Sequence, residues 1–330
     1  MIDLAARARR VAVVALGGNA LAPAGEPSTI YNQFRHTRES LAPIVELIHD
    51  GWNVCIVHGN GPQVGEEMVR NEVAREEASP LPLGVLVAAT AGWIGYMIQQ
   101  SLENALMRDA GAPRLARSVA TVVTQVQVDP NDPALRNPTK FIGRALSEDR
   151  AQELEHEGFA VKKDGHGNLR RVVGSPIPLG VRELDVIRTL IDSGTPVIAC
   201  GGGGAPVYRH ATLGWEGIDA VIDKDLVAAV LARDLGADLL LILTDVDAVY
   251  ADWGTAQQRA LSRLTADEAE AMDRENAFGE GSMAPKIRAA IDFVRRSDAA
   301  RRGVRPRAII TSLARGREAV REEAGTTITA

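Results

Sequence analysis

Aromatic side chains make up only 4% of the sequence, so a folded core has to be assembled from Val, Ile, Leu and Ala. Cysteine is almost absent as well. Cys55 and Cys200 each sit inside an apolar run, and two isolated thiols exclude a disulfide scaffold. With no CxxC pair and no Cys/His cluster, the sequence offers no metal site. Both cysteines read as core residues rather than nucleophiles. No apolar run approaches the roughly 20 residues that span a bilayer, and Val11–Leu16 is too short for the apolar core of a signal peptide. The expected compartment is the cytosol, with no membrane partner. The formal net charge of −6 argues against nucleic acid, whose phosphates select for clustered Lys and Arg. A small anionic ligand stays open, because a local basic spot can bind one whatever the total.

Several familiar signatures are missing too. GxxxxGK[ST] is absent, which excludes a Walker-type phosphate loop. Gly202 and Gly204 begin a GxGxxG that ends on Val207 with no suitable acidic residue after a second strand, so a dinucleotide fold is disfavoured. Neither GxSxG nor HExxH occurs. His58 has no obvious acidic partner and reads as a structural residue at a strand end.

Lysine is the scarcest charged residue: Lys140, Lys162, Lys163, Lys224 and Lys286 stand against 32 arginines. Arginine's planar fork does not replace a compact ammonium at a tight phosphoryl site, so the lysines that survive such a bias are candidates for one. Lys162 and Lys163 lie in HEGFAVKKDGHG, where a solvated hairpin is the better reading. The other three occupy NPTK, IDKD and GSMAPK. Chance placement of three lysines in turns is the competing reading, and the glycines weigh against it.

What the chain does contain is 45% apolar residues over 330 positions, enough for one large core or two medium lobes. Val11–Leu16, Trp52–Val57, Val119–Val128, Pro196–Cys200, Leu239–Thr244 and Arg307–Thr311 are apolar on both sides, as buried parallel strands are. Between them, Arg38–Asp50, Val85–Arg108, Leu184–Asp192, Lys224–Leu235 and Met283–Arg296 carry helical periodicity, and Thr265 with Glu268 fits a capping box. This alternation predicts an open α/β sheet with helices on both faces. Asp129–Ile177, dense in Pro and Gly, breaks the rhythm and reads as a small projecting subdomain at about 130–177. Three buried strands end in glycine turns: Gly17, Gly18 and Asn19; Gly59, Asn60 and Gly61; and Gly201–Gly204. Glycine lets a backbone approach an anion, and this edge is where open α/β sheets bind ligands. LILTDVDAVY sets Thr244, Asp245, Val246, Asp247 and Tyr250 just past another strand, suited to a base and ribose. GEGSMAPK sets Gly279, Gly281 and Met283 at a helix start ahead of Lys286.

Together ALGGNAL, HGNGPQVG, IGYMIQQ, TQVQVDPNDPALRNPTKFIG, RRVVGSPIP, VIACGGGG, IDAVIDKDL, LTDVDAVY and GSMAPK resemble the carbamate kinases of the amino acid kinase family, in that family's order and across essentially the whole chain. The resemblance implies an open αβα sandwich with an acceptor-binding lobe over 1–195, an ATP-binding lobe over 196–330, and a homodimer. It also implies the reversible reaction of ATP with carbamate to give ADP and carbamoyl phosphate, with Mg²⁺ arriving on ATP. Relatives acting on acetylglutamate carry KxGG at the first glycine turn. Here that lysine position is Ala15, and Lys140 takes its place. Ala91, Leu169, Gly174 and Ala284 stand where the family has Gln, Trp, Pro and Gly. On this basis Lys224 and Lys286 are expected on the nucleotide phosphates, Lys140 on the acceptor side, and Asp223 or Asp225 orienting the lysines. The expected substrate cradle is Gly17, Gly18, Asn19, Gly59, Asn60 and Gly61 with Gly202 and Gly203. Nucleotide contacts are expected from Thr244, Asp245, Val246, Tyr250, Gly281 and Met283. A larger amino-acid acceptor would need a recognition group such as Arg170 or Arg171.

Overall fold

Strand Val11–Leu16 takes the middle of the main sheet because it is apolar on both faces, and all six of its residues are buried. Val11, Val13 and Ala15 face one core, shared with helices Leu184–Asp192, Lys224–Leu235 and Met283–Arg296. Ala12, Val14 and Leu16 face the other, shared with helix Ala42–His49 and the long helix Leu83–Asp109. This alternation is the two-residue period of a strand buried from both sides.

The computed structural model describes residues 10–23, 25–109, 118–165, 167–275, 277–278, 283–297, 299 and 303–330. The main sheet has eight strands, in the order Arg263–Thr265, Thr326–Thr329, Arg307–Ser312, Leu239–Thr244, Val11–Leu16, Asn53–His58, Val197–Ile198, Ala120–Thr121. Every neighbouring pair is parallel except Arg307–Ser312 with Thr326–Thr329. The sheet is thus mainly parallel, as expected. It runs without a break through both expected lobes, since Val13 lies between Cys55 on one side and Leu240 on the other.

Two expected segments come out differently. Val119–Val128 is not one strand: Ala120–Thr121 stays in the main sheet, and Gln125–Gln127 enters a second, four-stranded sheet beside Ala205–His210. The changeover is fixed by Thr124, whose hydroxyl accepts the Cys200 N–H (3.0 Å) and donates to the Val122 carbonyl (2.8 Å). Cys200 itself adopts a left-handed φ of 51°, so its strand turns out of the main sheet at the same place. Arg38–Asp50 divides at Leu41 into helices Ile30–Ser40 and Ala42–His49, with Pro43 in the first turn of the second. Proline is tolerated there and nowhere deeper in a helix.

The projecting subdomain forms as expected. Strands Lys140–Ile142, Leu169–Val173 and Val161–Lys163 make a three-stranded sheet, with helix Glu148–His156 packed on it. Lys162 and Lys163 sit exposed on its outer strand, in the hairpin the sequence suggested.

Candidate active site

Parallel strands bring Leu16, His58 and Thr244 to one edge of the sheet, and the glycine turns follow directly. The Gly17 N–H donates to the Leu243 carbonyl (3.2 Å) and the Gly59 N–H to the Leu16 carbonyl (3.0 Å), extending the ladder by one step past each strand. Here the backbones close up. A Cβ placed on Gly59 would lie 3.0 Å from the Gly18 nitrogen and 3.2 Å from Lys224 Cδ, so a side chain here would crowd the point where Gly18 and the Lys224 stem meet. Asn19 follows in the short helix Gly18–Leu21.

Helix Lys224–Leu235 begins beside this floor. Asp223 caps it, its Oδ1 accepting the N–H groups of Asp225 (2.9 Å) and Leu226 (3.4 Å). Its Oδ2 accepts the Lys140 ammonium, carried in from the subdomain. Asp225, 2% exposed, takes the other two lysines: Lys224 Nζ donates to its Oδ1 (2.6 Å), and Lys286 Nζ, from the first turn of helix Met283–Arg296, lies 3.2 Å from its Oδ2. Three lysines separated by up to 146 positions therefore meet on two carboxylates two residues apart, leaving one net positive charge in the cluster. Both aspartates hold lysines, where the sequence left the choice between them open.

Burial alone would raise the Asp223 carboxyl. The ammonium groups of Lys140 and Lys224 and the Asp225 N–H outweigh it and hold the carboxyl well below the usual carboxylate range. Burial pushes the Lys286 ammonium below its ordinary value, against the pull of Asp225. Such a cluster is able to take an anionic oxygen in exchange for a carboxylate partner, with the charge already desolvated and in place.

The third glycine turn plays a different part from the first two. Gly201–Gly203 is a buried 3₁₀ turn closed on itself, with the Gly203 N–H donating to Cys200 and the Gly204 N–H to Gly201. Gly202 (φ 66°) packs against the Asn60 side chain, and a Cβ there would fall 2.2 Å from Asn60 Nδ2. Asn60 does not cap helix Gly61–Val73 with its side chain. It donates instead to Thr90 Oγ1 (2.9 Å) of the long helix. The Gly202–Gly203 turn thus buttresses the Gly59–Gly61 turn from behind.

His58 ends its strand fully buried, with Nδ1 3.0 Å from the Gly59 carbonyl. Burial pulls its pKa down to about 4, so the imidazole is neutral and structural, as its strand-end position suggested. An unfolded chain binds a proton at this histidine below about pH 6.5, whereas the folded one refuses it down to about pH 4. The unfolded state holds more protons in that window, so stability rises with pH through it. Acidification from pH 6.5 to 4 is expected to remove about 3 kcal/mol through His58. The depressed Asp223 adds its loss only below the ordinary carboxylate range. Urea unfolding at stepped pH measures this; a flat profile between pH 6.5 and 4 would contradict a buried neutral imidazole.

On the other side of the lysines, Thr244 ends its strand and Asp245, Val246 and Asp247 form the bend after it. Thr311 Oγ1 donates to the Asp247 carbonyl (3.0 Å), fixing the bend to the next strand. Tyr250 lies on the hairpin Val249–Ala251/Arg259–Leu261 and packs against Trp253 with ring centroids 5.2 Å apart. Trp253 is 61% exposed and escaped the sequence reading, although an aromatic three residues after Tyr250 in VYADWG was its signal. Met283 opens the Lys286 helix and is partly buried. Gly279 and Gly281 lie outside the described residues. Arg171, considered for acceptor recognition, is held by Glu72 (2.7 Å) and lies over the Phe159 ring. Arg170 Nη2 donates to the Gly143 carbonyl (2.6 Å).

The amino acid kinase family profile matches residues 10–302. A carbamate kinase of Halobacterium salinarum is 46% identical over 321 residues, covering 96% of this chain and 97% of that protein. One of Clostridium perfringens is 41% identical over 320 residues, with 96% and 98% covered. Among solved structures, carbamate kinase from Giardia lamblia bound to citric acid superposes with a TM-score of 0.88 at 37% identity, covering 98% of this chain and 99% of that one. The same enzyme bound to AMP-PNP gives 0.86 at 36%, with the same coverage. Sequence and fold agree over nearly the full length, and the chain belongs to the amino acid kinase family, in its carbamate kinase branch.

Proposed function

We propose that the chain transfers the γ-phosphoryl group of ATP to carbamate, and in reverse makes ATP from ADP and carbamoyl phosphate. The observation that carries this is the convergence of Lys140, Lys224 and Lys286 on Asp223 and Asp225 beside the Gly18–Gly59 contact. A carbamate oxygen attacks the γ-phosphorus, the bond to the β-bridging oxygen breaks, and the electron pair leaves on ADP. Carbamate is already an anion, so no base has to remove a proton, in keeping with a buried neutral His58. The obstacle is repulsion between two anions, and positioning and electrostatics remove it.

Lys224 and Lys286 take the β- and γ-phosphate oxygens, and Lys140 neutralises the acceptor. Asp223 and Asp225 keep the ammonium groups apart and aimed. Gly17, Gly18, Asn19, Gly59 and Gly61 line the acceptor and transferring group, with Asn60, Gly202 and Gly203 supporting them. Thr244, Asp245, Val246 and Tyr250 with Met283 and Gly281 hold the nucleoside. Both acidic residues of the cluster are engaged by lysines, and no group of three His, Cys, Asp or Glu among the described residues is placed to hold a metal. Mg²⁺ therefore fits as part of the substrate MgATP, where it offsets phosphate charge.

The same reading makes the protein a cytosolic homodimer. Two free buried cysteines support a reducing compartment. Exposed Tyr31 and Tyr96, on two helices joined by the edge-to-face contact of Phe34 with Tyr96, support a subunit contact on that side. The test is to incubate the protein with MgADP and carbamoyl phosphate and measure ATP. Prompt formation is expected. Formation only with another acyl phosphate, or nucleotide binding without turnover, would overturn the assignment.

A further inference from the structure

Lys140 belongs to the projecting subdomain, whereas Asp223, Lys224 and Lys286 belong to the main body. Where the Lys140 ammonium sits therefore depends on what fixes one to the other. The first attachment is backbone on backbone. The Gly143 N–H donates to the Gly61 carbonyl (3.3 Å), and Gly65 lies so close that a Cβ on it would be 2.0 Å from Gly143 Cα. Ile142 and Val173 pack beside it against Val64, Met68, Leu86 and Val221, and the Val221 N–H donates to the Gly174 carbonyl (3.0 Å), so this end of the subdomain is seated while its far end needs a tie of its own.

The far end is tied ionically, by Arg75 with Glu157 at the exposed rim (3.4 Å) and, further in, by one carboxylate that takes two arginines. Glu72, at the far end of helix Gly61–Val73, accepts Arg150 Nη2 on Oε2 (2.6 Å) and Arg171 Nη1 on Oε1 (2.7 Å). Arg150 is on the subdomain's helix Glu148–His156, and Arg171 is on its strand Leu169–Val173. That strand pairs antiparallel with Lys140–Ile142: Arg171 stands opposite Ile142, and Val173 opposite Lys140. Between the two attachments lies a cavity of about 670 Å³, bounded by Met68, Val73, Ile142, Leu146 and Leu154. Side-chain packing is open over that stretch, and at its far end the more buried tie is Glu72, with the exposed Arg75–Glu157 pair (3.4 Å) at the rim. Without its charge, two guanidinium groups would be left side by side, and like charges at that range repel.

We propose that Glu72 is a positioning residue for phosphoryl transfer: by holding Arg150 and Arg171 to the main body it sets the tilt of the subdomain and so seats the Lys140 ammonium on Asp223. This rests on the assignment of Lys140 to the acceptor side. A displacement of about 1 Å at a reacting group costs up to roughly a hundredfold in rate. Glu72→Gln keeps the volume and removes the charge, so kcat/KM for carbamoyl phosphate is expected to fall by about ten- to a hundredfold. Affinity for MgADP should be unchanged, because Lys224 and Lys286 stay in place.

The decisive comparison is a double-mutant cycle with Lys140→Ala. Once Lys140 is gone its position no longer matters, so Glu72→Gln should add nothing to the loss. Arg150→Gln, which frees one arm of the carboxylate and leaves the other, should give a smaller loss with the same non-additivity, and provides the test if Glu72→Gln folds poorly. Wild-type kcat/KM in both variants, or losses that simply add to that of Lys140→Ala, would overturn the proposal. Impaired Lys140→Ala beside normal Glu72→Gln removes the role of Glu72 alone, whereas a fully active Lys140→Ala removes the assignment of Lys140 and this proposal with it.

Discussion

Replacing Lys224 or Lys286 by alanine is expected to lower turnover by about a hundredfold or more each, the loss typical of one charge-stabilising donor in a pre-organised site. Each variant should stay folded, because Asp225 keeps one ammonium partner when the other is removed. Arginine is not a substitute at either position. Lys286 is 7% exposed and shares the Asp225 carboxylate with a second ammonium, and a planar fork with five donors does not fit where a compact charge is needed. Lys286→Arg should therefore lose most of the activity that alanine loses. Steady-state rates of ATP formation measure all of these, and near-normal turnover in both alanine variants would refute the assignment.

The second large effect is on stability. Asp225→Asn keeps the shape and removes the one carboxylate shared by Lys224 and Lys286, whose side chains are only 12% and 8% exposed. Two ammonium groups would then be left close together and desolvated, without the carboxylate between them. Breaking a buried ion pair from one side costs about 3–5 kcal/mol, and denaturant unfolding should show a loss of that order along with the loss of transfer. Adding Lys286→Met should recover part of the stability and none of the activity, since it removes one of the two crowded ammonium groups together with a proposed phosphate ligand. A stability change below about 1 kcal/mol in Asp225→Asn would mean that the lysines do not depend on this carboxylate.

Much of this was legible in the sequence because buried parallel strands and the glycine turns at their ends leave local signatures. Val11–Leu16 and Leu239–Thr244 keep their bounds, and so do the helices Leu184–Asp192, Lys224–Leu235 and Met283–Arg296. The three clustered lysines were separable from Lys162 and Lys163 because they sit in the tight segments NPTK, IDKD and GSMAPK, while the other two lie in a charged hairpin stretch. What stayed hidden depends on contacts between distant residues. Nothing local in Val119–Val128 marks the point where the chain changes sheets, because a hydroxyl–amide bond from Thr124 to Cys200 decides it. The short strand Thr326–Thr329 has too few residues to show a period. Glycines look alike in sequence, so the internally closed turn at Gly201–Gly203 could not be told from those at Gly17 and Gly59, whose N–H groups extend the sheet ladder. Glu72 is one acid among many on a solvated helix until the fold sets two arginines, 78 and 99 positions away, against it.

A crystal structure with MgADP and a planar or tetrahedral mimic of the transferring phosphoryl group tests the central claim most directly. Lys224 and Lys286 Nζ should lie within about 3 Å of the mimic's oxygens and Lys140 Nζ on its acceptor side, at charge-assisted hydrogen-bond range. Ammonium groups still closed on Asp223 and Asp225, with the mimic bound several ångströms away, would contradict it.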